Sequence, residues 1–195
     1  MKALLLAAPG AGKGTQGVRL ADSLGVRHIA AGDLFREAVS SGSEVGKLAA
    51  GFLVRGELVP DAVVIDMMVP HVADAAADGG YLLDGFPRNV EQASAFADVE
   101  ERLGIRLDAV IHLEVDTDEL VRRLLERAAI AGRVDDTPEV IQKRLALYER
   151  ETAPLISYYQ DRKILLPING AQSVEAVTRD ILAGLEELAP PSGTR

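Results

Sequence analysis

The chain has 195 residues, 48% of them hydrophobic, enough for one sizeable core with small appended lobes. A formal net charge of −9 argues against a nucleic-acid or anionic-membrane binder, so any anion site must concentrate its cations locally. Without cysteine there is neither a disulfide framework nor a thiolate zinc site, which accords with a reducing compartment.

In chain order, Lys2–Ala7 is a short apolar run that predicts a buried strand. It is too short for a secretory leader, and it runs into a Gly-Lys loop where a cleavage site would be expected. No stretch approaches the roughly 20 apolar residues of a membrane-spanning helix. A helix is predicted over Gln16–Leu24 and a strand over Val26–Ile29. Residues 31–59 then read as a helical insert, with helices around Leu34–Val39 and Val45–Leu53 and breaks at Gly42 and Gly56. Asp61, after Pro60, opens a helix through Ala62–Ala77, and Tyr81–Asp84 reads as a strand. Asn89 starts an Asn-x-x-Gln capping box, Ala109–Leu113 is a strand, and Asp116 starts Asp-x-x-Glu. The ten residues "RAAIAGRVDD" at 127–136 predict a loop, followed by Thr137 and Pro138 as an N-cap and N1 pair. Ile164–Ile168 completes the strands, Ser173 opens Val174–Leu188, and the last seven residues predict a frayed end. Strand–helix alternation with unalternating apolar strands predicts an α/β fold of three layers around a parallel sheet.

The loop "PGAGKGT" at 9–15 sits between the first strand and the first helix, the setting of a P-loop. Glycines let successive backbone N–H groups converge on phosphate oxygens, the helix N-terminus adds its positive dipole end, and Lys13 reaches the outer phosphates. Thr15 is placed for a magnesium ion or a phosphate. The position five residues before Gly12, glycine in the usual pattern, is Ala7, which can serve if its φ is negative. Asp84 ends an apolar strand, as a magnesium-positioning aspartate does in P-loop proteins.

A P-loop specifies a nucleotide and not a reaction. Arg36, Arg88, Arg123, Arg127, Arg133 and Arg144 lie in or beside the irregular segments. Two phosphorylated substrates brought together repel, and rigid, always-charged guanidinium forks are suited to clamp them. The alternative is that these arginines are solvated partners of the 30 acids, with Glu119 and Glu126 as helix neighbours of Arg123.

With these stretches the chain resembles the adenylate kinases over nearly its whole length. The matching segments are "PGAGKGTQ" (9–16), "GDLFR" (32–36), "LVPD" (58–61), "LDGFPRNVEQA" (83–93), "RLLERAAIAGRVDD" (123–136), "IQKRL" (141–145) and "TAPLISYY" (152–159). The resemblance implies a P-loop fold with a five-stranded parallel sheet. It divides the chain into a core of residues 1–29, 60–126 and 137–195, a helical monophosphate-binding lobe at 30–59, and a short lid at 127–136 without a zinc hairpin. It implies that Gly10, Ala11, Gly12, Lys13, Gly14 and Thr15 hold ATP phosphates, with Arg123, Arg127 and the segment Gly170–Gln172 also on ATP. Arg36 and Arg88 would hold the acceptor phosphate, and Arg133 and Arg144 would close on both substrates. Ala31, Glu57, Leu58, Val59, Gly85, Phe86, Pro87 and Gln92 would complete the AMP site. Asp84, with Asp33 as a second candidate, would position magnesium through water. The implied protein is a magnesium-dependent, cytoplasmic, monomeric enzyme whose partners are ATP and AMP. Its lid, carrying Arg127 and Arg133, would close to exclude water.

The acceptor base stays open between two markers. Gln92 matches the adenine reader of the adenylate kinases, and a side-chain amide can pair with a donor and an acceptor at once. As the third residue of the Asn89 capping box, Gln92 also has a purely structural reading. Ala31 stands where adenylate kinases usually carry threonine and UMP/CMP kinases usually carry alanine. A GTPase switch lacks its Asn-Lys-x-Asp guanine reader here, and a transporter-type ATPase lacks Ser-Gly-Gly. A non-catalytic nucleotide sensor would not need six placed arginines. His28, His71 and His112 lack metal spacing and read as core or surface residues, as do Met67, Met68 and the Tyr158-Tyr159 pair.

Overall fold

The computed structural model describes residues 1–131 and 137–188. The second half of the expected lid, including Arg133, and the expected frayed end lie outside the described residues. Five parallel strands, β1 (Lys2–Ala7), β2 (Arg27–Ala30), β3 (Tyr81–Asp84), β4 (Ala109–Glu114) and β5 (Leu165–Asn169), form one sheet in the order β2-β3-β1-β4-β5. The chain leaves β1 first toward β2 and β3 and then crosses to β4 and β5. The crevice at the carboxyl end of β1 is therefore the topological switch point, where open parallel sheets bind ligands.

The central strands bury both faces. Leu4, Leu6, Leu83 and Val110 face a layer made by α4 (Asp61–Ala77), α5 (Val90–Leu103) and α8 (Pro154–Gln160), through Met68, Val72, Phe96 and Leu155. Ala3, Leu5, Ala7, Leu82 and Ile111 face α1 (Lys13–Leu24), α6 (Thr117–Ala131) and α9 (Val174–Leu188), through Leu20, Leu120, Val177 and Ile181. This is why β1, β3 and β4 read as unbroken apolar runs. The edge strands β2 and β5 are only partly buried, and Pro167 is tolerated in β5 because that strand has one free edge. The insert carries α2 (Ala31–Ser40) and α3 (Glu44–Arg55), the latter capped by the Ser43 hydroxyl, and α7 (Pro138–Leu147) is capped by Thr137.

Several boundaries differ from the sequence reading by a residue or a few, and three of them bear on the site. The first helix begins at Lys13 and not Gln16, so the end of the glycine loop is itself the first helical turn. Val26 caps that helix by donating its N–H to the Ala21 carbonyl after Gly25 turns left-handed, which delays β2 by one residue. The third difference is at 127–136. Helix α6 continues through Arg127 to Ala131, because Arg-Ala-Ala-Ile-Ala is a run of good helix formers with no breaker before Gly132. Arg127 is thus a helical residue, where a loop was expected. A π-helical turn at Tyr148–Thr152, between α7 and α8, had no counterpart in the sequence reading.

Candidate active site

A cleft of about 660 Å³ opens at the carboxyl end of β1, between the glycine loop, α2–α3, and the facing surfaces of α6 and α7. Among the described residues its walls bring together Lys13, Arg36, Arg88, Arg123, Arg127 and Arg144, against Asp33, Glu57 and Asp84. In a chain of net charge −9 this is the local concentration of cations that an anion site requires.

The loop geometry follows from its glycines. Gly10, at φ +90°, leaves no space for a side chain, since a Cβ would stand 2.9 Å from the Leu120 carbonyl oxygen and from Leu124 Cγ. Ala7 lies in β1 with a negative φ, the condition under which alanine serves in place of glycine there. No side chain caps α1, and its first turn holds no acidic residue, so the protein offers no competing anion to those N–H groups. Lys13 Nζ donates to the carbonyls of Ala7 at 2.7 Å and Ala8 at 3.2 Å. Burial lowers its pKa from 10.5 to about 8, with Asp84 opposing the shift and the neighbouring arginines Arg88, Arg144 and Arg127 adding to it.

Asp84 lines the cleft at the end of β3, the strand paired with β1, in register with Leu5. Behind it, His28 Nε2 is 3.9 Å from Asp84 Oδ2 and has no hydrogen-bond partner among the described residues. The imidazole packs where a Cβ on residue 17 would stand 2.3 Å from Nε2, which accounts for Gly17. Thus His28 is a lining behind the site, while His71 is exposed and His112 is buried in β4. Among the described residues no three His, Cys, Asp or Glu side chains cluster as a metal cage.

Arg88 is held through its side chain and through both polar groups of its own backbone. Its Nε donates to the Gly85 carbonyl at 2.8 Å, its backbone N–H donates to Gln92 Oε1 at 2.8 Å, and its carbonyl accepts from Thr152 Oγ1 at 2.7 Å. Desolvation within the cleft and the repulsion of Arg144 and Arg36 lower its pKa, while Asp84 opposes them. Arg36 is tied by an ion pair to Asp33 on its own helix. Arg123 combines both readings offered for it: Nε donates to Glu119 at 2.6 Å, and Nη1 reaches the Gly170 carbonyl at 3.1 Å. Glu126 pairs with Arg122 and not with Arg123. Arg122 and Arg123 together hold the Glu119 carboxyl down to about 2. Gly170 and Gln172 also line the cleft, and Gln172 Nε2 donates to Asp180 at 2.8 Å.

The expected acceptor residues divide. Glu57 and Leu58 line the cleft with Arg36 and Arg88. Gly85 turns at φ +78° beside the Arg88 guanidinium, whereas Ala31, Val59, Phe86, Pro87 and Gln92 are buried behind the walls. Gln92 is 1% exposed, and its amide is engaged at both ends: Oε1 by the Arg88 N–H, and Nε2 by Asp61 Oδ1 at 2.7 Å. Half of the Asn89 capping box exists, in that Asn89 Oδ1 accepts the Gln92 N–H at 2.7 Å. Residues that sequence reasoning passed over are Asp61, Tyr148 and Thr152. The "TAPL" stretch at 152–155 was visible in the sequence, but nothing in it showed contact with Arg88.

A glycine loop running from the central parallel strand into an uncapped helix, with a lysine at the start of that helix and an acidic end on the neighbouring strand, places the chain in the P-loop class of nucleotide-binding α/β proteins. The family model described as adenylate kinase matches residues 5–164. Over 189 residues the chain is 43% identical to an adenylate kinase of Thermobifida fusca, covering 97% of this chain and 100% of that one. It is 47% identical over 184 residues to an adenylate kinase of Parvibaculum lavamentivorans, covering 93% and 90%. Adenylate kinase 1 of a Synechocystis species is 42% identical over 188 residues, covering 96% of each. The chain belongs to the adenylate kinase family.

Proposed function

We propose that this chain transfers the terminal phosphoryl group of ATP to AMP, giving two ADP. The observation that carries the reading is the convergence of six cationic side chains on one cleft at the carboxyl end of β1. In this reading the loop 10–15 and Lys13 hold the ATP phosphates. Arg123, Arg127 and the segment at Gly170–Gln172 hold the rest of ATP, and Arg36 and Arg88 present the AMP phosphate. An AMP phosphate oxygen attacks the γ-phosphorus, the bond to the β,γ-bridging oxygen breaks, and the bridging oxygen leaves with ADP. Little covalent help is needed, because positioning and charge neutralisation supply the rate. Arg144, which lines the cleft, closes on both substrates in this reading, and the same role is assigned to Arg133, which lies outside the described residues.

Magnesium fits this donor set. The cleft offers hard oxygen donors, Asp84 and Thr15, without a three-residue cage. Such a site suits an ion that keeps its waters and is carried mainly by substrate phosphates. When bound, the ion neutralises charge on the phosphates that are parting.

The same reading makes residues 30–59 a monophosphate-binding lobe and 127–136 a short lid. It places a monomer in the cytoplasm. Among the described residues no helix is long and apolar enough to cross a membrane.

A coupled assay with Mg-ATP and a panel of AMP, dAMP, CMP, UMP and GMP tests the proposal. Selective turnover of AMP supports it, and preference for UMP or CMP would replace the acceptor while keeping the clamp. Absence of transfer to every acceptor would reduce the site to nucleotide binding.

A further inference from the structure

Helices α1, α2, α3 and α5 each end beside a glycine with left-handed backbone. Gly25, Gly42 and Gly104 turn at φ +63°, +67° and +63°, and a side chain added at any of them would meet open space. Gly56, at φ +69°, closes α3 in the same way: its N–H donates to the Leu53 carbonyl at 3.1 Å, and the Glu57 N–H donates to the Phe52 carbonyl at 2.9 Å. Here, however, a Cβ would stand 3.0 Å from Val140 Cγ1, 3.1 Å from Arg144 Cγ and 3.5 Å from Arg144 Cδ. Capping accounts for a glycine at all four positions, and at Gly56 the space without a side chain is filled by α7.

What fills it is the stem of a cleft cation. Arg144 lies in the last turn of α7 and lines the cleft. Its charge adds to the lowering that burial causes at Lys13 and at Arg88, so its head is within electrostatic reach of both. On the other side of the contact the chain runs from Gly56 into Glu57 and Leu58, which also line the cleft. Arg55, bonded to Glu57, holds that carboxyl below its usual range, and Lys143 of α7 adds to the effect, so the two segments adjoin at a second point. A methyl at position 56 would press on the Arg144 stem near its root. The stem can yield only by leaving its rotamer, and the displacement grows along the bonds that lead to the guanidinium.

We infer that Gly56 is a positioning residue for Arg144: its bare backbone is the seat on which the Arg144 stem rests, so the end of α3 sets where the guanidinium stands in the cleft. The inference rests on the reading of Arg144 as a clamp that closes on both substrates. A group aimed at charge that develops during transfer acts through its placement, and a shift of about an ångström removes much of its effect. The loss then falls on turnover more than on ATP binding, since in that reading the loop 10–15 carries the ATP phosphates.

The test is a double-mutant cycle that reads kcat and KM with Mg-ATP and AMP in the unaltered chain, Gly56→Ala, Arg144→Ala and the double variant. Gly104→Ala serves as the control, with similar left-handed strain and open space around the added methyl. Gly56→Ala should lower kcat about tenfold or more while the KM for ATP stays within about twofold, and Gly104→Ala should leave both in place. Added to Arg144→Ala, Gly56→Ala should change kcat by less than about twofold, because the stem it displaces is gone. A loss that persists undiminished beside Arg144→Ala would make Gly56 merely structural and overturn the proposal. So would a folded Gly56→Ala that turns over like Gly104→Ala while Arg144→Ala is impaired. Full turnover by Arg144→Ala would instead overturn the reading of Arg144, and the seat with it. Should Gly56→Ala not fold, Gly56→Asn decides, since asparagine tolerates left-handed backbone and carries the same Cβ. The same fall in kcat is expected there, again absent beside Arg144→Ala, and an unchanged kcat would overturn the proposal.

Discussion

The wall formed by Pro9–Thr15 grows directly out of β1, the central strand, whereas the facing wall of α2 and α3 stands on few buried side chains. Along the first wall Ala3, Leu4, Leu5, Leu6 and Ala7 are all buried, Ala11 is buried in the loop itself, and α1 adds Gln16, Gly17, Leu20 and Ala21. Gln16 also bonds to Val174 and Thr178, which fastens α1 to α9. The second wall buries Ala31 and Phe35 from α2, and Gly46 and Ala49 from α3. Its ion pairs, Arg36–Asp33, Lys47–Glu44 and Arg55–Glu57, are exposed and contribute little. One wall is therefore preorganised by the core, and the other is a small helical pair packed on itself, where a Cβ on Gly46 would meet the Ala38 carbonyl. Two substrates of like charge are best served by such a difference, with one anion site fixed and the other able to approach it.

The sharpest way to break this comparison is Lys13→Met. Loss of the ammonium should lower phosphoryl transfer by about 10²–10³-fold or more, the scale of one preorganised electrostatic group. The same change removes a cation that burial disfavours, and the melting of the ligand-free protein at pH 7 should show a gain of roughly 1–3 kcal/mol. Activity and stability moving in opposite directions would mark the loop as built for the ligand. Parallel losses would make Lys13 a structural pin for the Ala7 and Ala8 carbonyls.

The two walls can also be compared directly by amide hydrogen exchange. Amides of α2 and α3 should exchange about tenfold or more faster than those of β1 and α1, because fewer buried apolar contacts resist local opening. Equal protection would mean that the α2–α3 wall opens only with the whole fold, and the contrast drawn above would fail.

What could be read from the sequence follows the same division. The strand–loop–helix at 2–24 and the alternation of apolar runs were legible, because local pattern and tertiary placement agree there. So were the cations of the cleft, as residue types in irregular segments. Illegible were the partners joined by long-range folding. Asp61 looked like a helix start, and only the packing of α4 beside α5 brings it to Gln92. Thr152 looked like a residue before a proline, and only the π-helical turn aims its hydroxyl at the Arg88 carbonyl. Arg127 was misplaced for a local reason, since the whole stretch 127–136 was read as a loop although it opens with a run of good helix formers.

The smallest effect concerns protons, and it examines the fixed wall alone. Lys13 has its pKa lowered to about 8 in the ligand-free protein, against 10.5 when unperturbed. Because the folded value lies below the unfolded one, the cost of this burial is full below pH 8 and fades as pH rises toward 10.5, so it favours stability at the alkaline end. A nucleotide phosphate beside Nζ acts the other way, favouring the charged form and returning the pKa upward. Binding a non-transferable ATP analogue at pH 8.5 should therefore draw in more than about half a proton, which calorimetry in buffers of different ionisation enthalpy measures. At that pH the phosphates are already fully ionised and have no proton to release, so the uptake reports the lysine. The Lys13→Met protein should show none of it. A binding enthalpy independent of buffer at pH 8.5 would mean that the loop already holds its lysine charged, and the lowered pKa would be wrong.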